Sequence, residues 1–253
     1  MKLPLEIDQV IDRQSYPLLF VTVSGAHLYG FESPDSDFDL RGVHCLPVPE
    51  LVGLEVGEDT ISATTLENGW EMDLVTHEAK KFFSMLLSRN GYVMEQLFSP
   101  LVLRHTPYLD ELREIAKGCI TRHHAHHYLG FAKTQWELFK KDASPRVKPL
   151  LYTYRVLLTG IHLMRTGVVE ANLGVLNAES KLAYLSDLMT LKRTGKEKGV
   201  MEKFDSAFHE GEYQRLRAEL ETAFQSSQLP DQPSGRAQLH DLLLRIRLGK
   251  SHG

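Results

Sequence analysis

Two aspartates one residue apart, Asp37 and Asp39, lie in the run Ser36-Asp37-Phe38-Asp39-Leu40-Arg41-Gly42-Val43. Read as a strand, this run sends both carboxylates to one face, about 6.6 Å apart along the backbone, and Phe38 and Leu40 to the other. Paired hard oxygen donors of this kind suit divalent cations such as Mg²⁺ or Mn²⁺. Upstream, the apolar run Leu18–Val23 leads into Ser24-Gly25-Ala26 and a short segment ending at Gly30. A glycine directly after a strand and before a short helix lets backbone N–H groups approach a phosphate, and the helix N-terminus adds favourable partial charge. An isolated Asp-x-Asp is ordinarily a solvated turn or strand edge. Here it stands beside a phosphate cradle, in an order that a random surface pair seldom provides. Arg41 suits either of two roles, a phosphate ligand or an ion-pair partner of Asp39 or Asp35.

The elements that must hold these residues follow from periodicity. Leu5, Ile7, Val10 and Ile11 repeat at helical spacing over residues 4–14, and Pro17 closes that helix before the buried strand Leu18–Val23. A second strand is expected over Asp37–Val43, and two more over Asp59–Thr65 and Gly69–Val75, joined by a turn at Leu66-Glu67-Asn68. A helix over Thr76–Arg89 follows. From about Thr106 proline and glycine become sparse and helical periodicity takes over: Leu109–Cys119, Ala125–Lys141, Lys148–Gly167, Lys181–Lys192, Glu202–Ser226 and, past the polar, proline-containing stretch Ser226–Gly235, Ala237–Leu248. The expectation is an α+β chain, a small mixed sheet with flanking helices over 1–105 followed by an all-helical domain over 106–253 with a flexible linker near 226–235.

Composition narrows the class. The 253 residues, 42% hydrophobic and 25% charged, are those of an ordinary globular chain and exclude disorder and collagen-like structure. Cys45 and Cys119, the only cysteines, are far apart and lack a CxxC partner, so neither a disulfide framework nor a thiolate zinc site is expected. No run approaches a membrane span, and Glu6, Asp8 and Asp12 contradict a secretory signal, so a cytoplasmic location is expected. Up to Leu103 the chain carries 6 Lys/Arg against 16 Asp/Glu; beyond it, 23 against 17. An acidic half suits cations and a basic half suits polyanions, although solvated surfaces alone produce such biases. The run Arg122-His123-His124-Ala125-His126-His127 places His123 and His127 one helical turn apart, where they could ligate a transition metal, face a polyanion or simply meet solvent.

The string Ser24-Gly25-Ala26-His27-Leu28-Tyr29-Gly30-Phe31, with Pro34-Asp35-Ser36-Asp37-Phe38-Asp39-Leu40-Arg41-Gly42, resembles the signature of the DNA polymerase β nucleotidyltransferase superfamily. It looks most like the branch of RNA-repair-pathway nucleotidyltransferases. Asn90-Gly91-Tyr92-Val93-Met94-Glu95-Gln96-Leu97 resembles that branch's Asn-Pro-x-x-x-Glu-x-Leu segment, and Lys148-Pro149 through Arg155-Val156-Leu157-Leu158 resembles its helical Lys…Arg-x-Leu-Leu segment. The resemblance implies a nucleotidyltransferase palm followed by helices. It also implies transfer of NMP from an NTP to a hydroxyl with release of pyrophosphate, assisted by two Mg²⁺ or Mn²⁺ ions on Asp37, Asp39 and a third carboxylate. Asp73 is the candidate for the third and for the base, with Glu71 on the same strand face as the alternative. Ser24, Gly25, Ala26 and Ser36, with Lys148 and Arg155 from the helical half, are the implied nucleotide contacts.

The sequence departs from the superfamily at Ala26, where a serine hydroxyl usually contacts the triphosphate. The loss of one charge-assisted hydrogen bond, about 1.5–3 kcal/mol, weakens nucleotide binding unless Ser24 or Ser36 substitutes. The acceptor implied is the 3′ end of an RNA. A protein or small-molecule acceptor, or a module that only binds nucleotide or RNA, are the alternatives.

Overall fold

The structure, a computed structural model, describes residues 3–141, 146–195 and 205–249. Its contacts divide the chain into two units. One comprises residues up to 25, 37–119 and from 232 onward; the other comprises 26–36 and 120–231.

The first unit is built on a five-stranded mixed sheet. In chain order it contains α1 (Glu6–Asp12) and β1 (Leu18–Val23), then the start of α2 (Gly25–Tyr29), whose residues from Ala26 on group with the helical unit. β2 (Phe38–His44), α3 (Pro49–Val52), β3 (Thr60–Glu67), β4 (Trp70–Glu78), α4 (Ala79–Leu87), α5 (Gly91–Leu97), β5 (Val102–His105) and α6 (Tyr108–Lys117) follow. The strand order is β3-β4-β2-β1-β5, with β2 and β4 parallel and every other pair antiparallel. Alternation sorts the side chains onto two faces. On one, Ile7, Val10 and Ile11 of α1 close over Val21, Val23, Phe38, Leu40, Met72 and Leu74. On the other, Phe20 packs edge-on against Phe82 of α4 at 5.6 Å, and Thr22 Oγ1 donates to the Gln96 carbonyl of α5 at 3.1 Å.

Two local differences from the sequence expectation have plain causes. The hairpin turns on Asn68-Gly69, at φ +50° and +84°, with Glu67 paired to Trp70; positive φ at both central residues is what a tight two-residue hairpin demands. The expected helix over 76–89 starts only at Ala79. Thr76, His77 and Glu78 instead extend β4 in parallel register with Gly42, Val43 and His44, and Glu78 then caps α4, its side chain accepting from the Lys80 N–H at 2.7 Å.

The helix over Arg236–Leu248, α12, belongs with the sheet, not with the helical unit. Arg245 pairs with Glu111 of α6, and Arg247 pairs with Glu78 at 2.6 Å. The Glu78 and Arg247 side chains are 4% and 11% exposed, so removing one partner strands a charge. Arg247→Ala is expected to cost about 3–5 kcal/mol. A urea titration checks this, and an unchanged midpoint would show that the pair holds nothing.

The second unit joins the segment 26–36 to α7 (His124–Lys141), α8 (Val147–Thr166), α9 (Leu173–Ser180), α10 (Ala183–Thr194) and α11 (Ser206–Ser226). α8 is its spine, buried from Val147 through Met164 along most of its length. Trp136 of α7 stacks on Tyr213 of α11 at 4.7 Å. Tyr29 and Phe31 each meet the Tyr152 ring at 5.5 Å, which is why a segment next to the strands groups with the helices. The stretch expected as a flexible linker is irregular but hydrogen-bonded: Ser227 Oγ donates to the Met164 carbonyl and the Arg122 N–H to the Pro230 carbonyl, while in the sheet unit the Ser234 N–H donates to the Gly118 carbonyl. Among the described residues no helix is long and apolar enough to cross a membrane.

Candidate active site

The parallel register of β2 and β4 sets Asp39 directly beside Asp73. Both stand on the face covered by α4 and α5, yet their side chains remain 31% and 35% exposed. Asp37 immediately precedes β2 and is half-buried, whereas Glu71, two residues before Asp73, is exposed.

Between the paired carboxylates lies Arg41. Its Nη2 donates to Asp39 Oδ1 at 2.8 Å and to Asp73 Oδ2 at 3.2 Å, and its Nη1 donates to the carbonyls of Leu40 and Asp73 at 2.8 and 2.7 Å. Nε donates to the Tyr92 hydroxyl at 3.4 Å. Burial opposes the Arg41 charge, but the Tyr92 hydroxyl and the two carboxylates outweigh it and hold the pKa above the ordinary arginine value. The remaining oxygen of Asp73, Oδ1, accepts from Thr64 Oγ1 at 3.2 Å. Of the two roles open to Arg41 in the sequence, the structure gives it the ion pair, with Asp73 as a partner beside Asp39. The sequence does not mark the Tyr92 or Thr64 hydroxyl as part of the site. Tyr92 lies in the Asn90–Leu97 segment, where Asn90 Oδ1 caps α5 by accepting from the N–H groups of Tyr92 and Val93.

Gly25 closes the other side of Asp39. Its φ is +60°, and a Cβ built there would fall 1.8 Å from Asp39 Oδ2. The Ser24 N–H donates to the Asp39 carbonyl at 2.7 Å, which ties the turn to β2. Ser24 Oγ is buried without a hydrogen-bond partner. Ser36 is committed elsewhere, its hydroxyl accepting from the Ser33 N–H at 2.9 Å. Of the two serines that could replace the missing hydroxyl at Ala26, Ser24 has the uncommitted oxygen.

Ala26, Ser36, Lys148 and Arg155 all belong to the helical unit. Lys148 lies in the first turn of α8 and is half-buried. Arg155 is buried, its guanidinium 3.7 Å over the Tyr29 ring. The histidine run divides by environment. His123 and His126 stack at 5.7 Å beside Phe224, His124 is buried, and burial lowers the His127 pKa. Burial also pushes the thiols of Cys45 and Cys119 up to about 12 and about 11, so neither is a thiolate near neutral pH.

Among the described residues no three carboxylate, histidine or cysteine side chains form a ready metal group. A fully built cage is not what Mg²⁺ needs, since it is usually held by one or two carboxylates together with substrate phosphates and water. Asp39 and Asp73, adjacent, oxygen-bearing and open to solvent, fit that description, and Ser24 Oγ adds an uncommitted oxygen at the same turn.

Among curated proteins, the chain is 28% identical over 235 residues to the uncharacterized protein MJ0002 of Methanocaldococcus jannaschii, covering 91% of this chain and 94% of that one. It is 21% identical over 225 residues to the uncharacterized protein YcgL of Bacillus subtilis, covering 83% and 84%. A crystal structure of a nucleotidyltransferase-like protein from Exiguobacterium sibiricum aligns over 98% of this chain and 79% of its own at 11% identity, with a TM-score of 0.31. Residues 2–245 match the model of the RNA repair pathway DNA polymerase beta family. That match spans the glycine turn, the three aspartates and the helical unit alike, and the chain therefore belongs to this family, which indicates a nucleotidyltransferase of the polymerase beta type.

Proposed function

We propose that the protein transfers a nucleoside monophosphate from an NTP to a hydroxyl acceptor, most simply the 3′ end of an RNA, and releases pyrophosphate. The observation that carries this reading is the Asp39–Asp73 pair across parallel strands with Gly25 packed against it, inside a match to the family that runs nearly the whole chain. Asp37, Asp39 and Asp73 would hold Mg²⁺ or Mn²⁺. A bound divalent cation supplies charge neutralisation for the triphosphate and the departing pyrophosphate. Gly25, lacking a side chain, leaves room for the Asp39 carboxylate beside the turn, and the turn's N–H groups would meet the phosphates. Asp73 takes the proton of the attacking hydroxyl on its carboxylate, held in orientation by Thr64 and Arg41. The hydroxyl oxygen then bonds to the α-phosphorus as the bond to the β-phosphate oxygen breaks.

The family's RNA-repair description and the basic excess beyond Leu103 support an RNA acceptor. The test incubates wild type and Asp39→Asn protein with each α-labelled NTP, Mg²⁺ or Mn²⁺, and RNA, protein and aminoglycoside acceptors. Label on RNA with wild type alone is the expected result. Label on protein or aminoglycoside replaces the acceptor and keeps the chemistry. Nucleotide binding without transfer to any of them would reduce the protein to a binding module.

A further inference from the structure

We propose that Arg41 is a resident cation of the active site: it permanently occupies one oxygen of Asp39 and one of Asp73, and so suppresses binding of a free divalent cation until nucleotide phosphates bring further ligands. The inference rests on the reading of these carboxylates as cation holders and adds a positioning residue to it.

Arg41 is a built feature of the strand rather than a surface charge. It is 8% exposed in the middle of β2, and its guanidinium is fixed on every side: the Leu40 and Asp73 carbonyls, Asp39 Oδ1, Asp73 Oδ2 and the Tyr92 hydroxyl. Two of those bonds go to backbone carbonyls of the paired strands, so they hold the guanidinium independently of the two carboxylates. The planar fork of arginine matches this convergence, and an ammonium could satisfy only part of it. The oxygens that Arg41 does not take are distributed in a definite way. Asp73 Oδ1 turns to Thr64, and Asp39 Oδ2 turns to Gly25 at the glycine turn, the side on which a phosphate is expected.

The electrostatic consequence has a sign. Two carboxylates side by side attract a divalent cation strongly, and a fixed guanidinium bonded to both halves their combined charge. Free-cation affinity is therefore lower than for a bare pair, and the remainder must come from the nucleotide. Removing the Arg41 charge should raise affinity for free cation, the opposite of what damage to a structural residue would do.

Mn²⁺ serves as the probe, titrated without nucleotide and followed by its paramagnetic resonance signal. Arg41→Gln is expected to bind Mn²⁺ at least about tenfold more tightly than wild type, the effect of one charge at contact distance in a partly wet site. Arg41→Lys, which keeps the charge, is expected to stay near wild type. Equal or weaker binding by folded Arg41→Gln overturns the inference about Arg41 alone, provided wild-type binding is lost in Asp39→Asn. Binding that ignores Asp39→Asn and Asp73→Asn overturns the cation reading of the site as well. Should Arg41→Gln fail to fold, wild type carries the test. The Arg41 side-chain N–H signals in nitrogen-edited NMR are expected to remain protected from solvent exchange when Mg²⁺ is added, and their loss would show that the cation displaces the guanidinium.

Discussion

Asp39→Asn and Asp73→Asn each lower nucleotidyl transfer by at least about 10³-fold, or about 4 kcal/mol of barrier, in the outcome expected from this site. The amide keeps the size and one hydrogen-bond acceptor, so Arg41 retains a partner and the strands keep their register. What is lost is the charge that a cation or a reacting proton requires. Each substitution weakens a bond to the Arg41 guanidinium, and the loss of one such bond is worth about 1.5–3 kcal/mol of stability. Glu71→Gln is the control. It lies on the same strand but is exposed, and turnover should change by less than about twofold, as for a surface substitution. Single-turnover rates with saturating labelled NTP, alongside thermal unfolding of each variant, separate lost chemistry from lost fold. Activity that survives Asp73→Asn and disappears in Glu71→Gln would move the third carboxylate to Glu71.

What the sequence shows and what it hides at this site divide along local and non-local lines. Alternation alone says that Asp37 and Asp39 share a face of their strand, and that Glu71 and Asp73 share a face of theirs. It cannot say that Asp39 stands opposite Asp73, because that depends on β2 and β4 pairing in parallel across a gap of more than thirty residues. The choice made by Arg41 is hidden for the same reason: Asp35 and Asp39 are its sequence neighbours, and its second partner comes from another strand. α7, α8 and α12 are legible within a residue or two from the helical spacing of their apolar residues; α11 is described from Ser206, and residues 202–204 of the helix expected over Glu202–Ser226 lie outside the described residues. β5 is not legible, since its four residues form an edge strand defined only by pairing with β1. α9 is short too, and its clearest signal is Asn172, whose side chain accepts from the N–H groups of Gly174 and Val175. The division into units also escapes a linear reading. α12 returns to the sheet through Arg245 and Arg247, and Tyr29 joins the helical unit through Tyr152 and Arg155.

Gly25→Ala is expected to cost far more activity than stability, and Gly69→Ala to do the reverse. Both glycines hold positive φ, +60° and +84°, where an added Cβ strains the backbone by roughly 1–2 kcal/mol. Their surroundings differ completely. At Gly69 a Cβ would meet nothing within 4 Å, so the strain is the whole effect and the hairpin tip lies away from the aspartates. At Gly25 the Cβ would fall 1.8 Å from Asp39 Oδ2 and 2.9 Å from Asp39 Cβ, so the carboxylate or the turn must move by an ångström or more. Moving Asp39 also disturbs its bond to Arg41 and, through Arg41, the hold on Asp73. Misplacement of a reacting group by about 1 Å is worth about 10²-fold in rate. Gly25→Ala should therefore lose about 10²-fold in transfer beyond any change in unfolding temperature, while Gly69→Ala unfolds a few degrees lower and transfers nucleotide at the wild-type rate. Equal losses of activity in both variants would mean that Gly25 serves the turn only and that Asp39 does not depend on it.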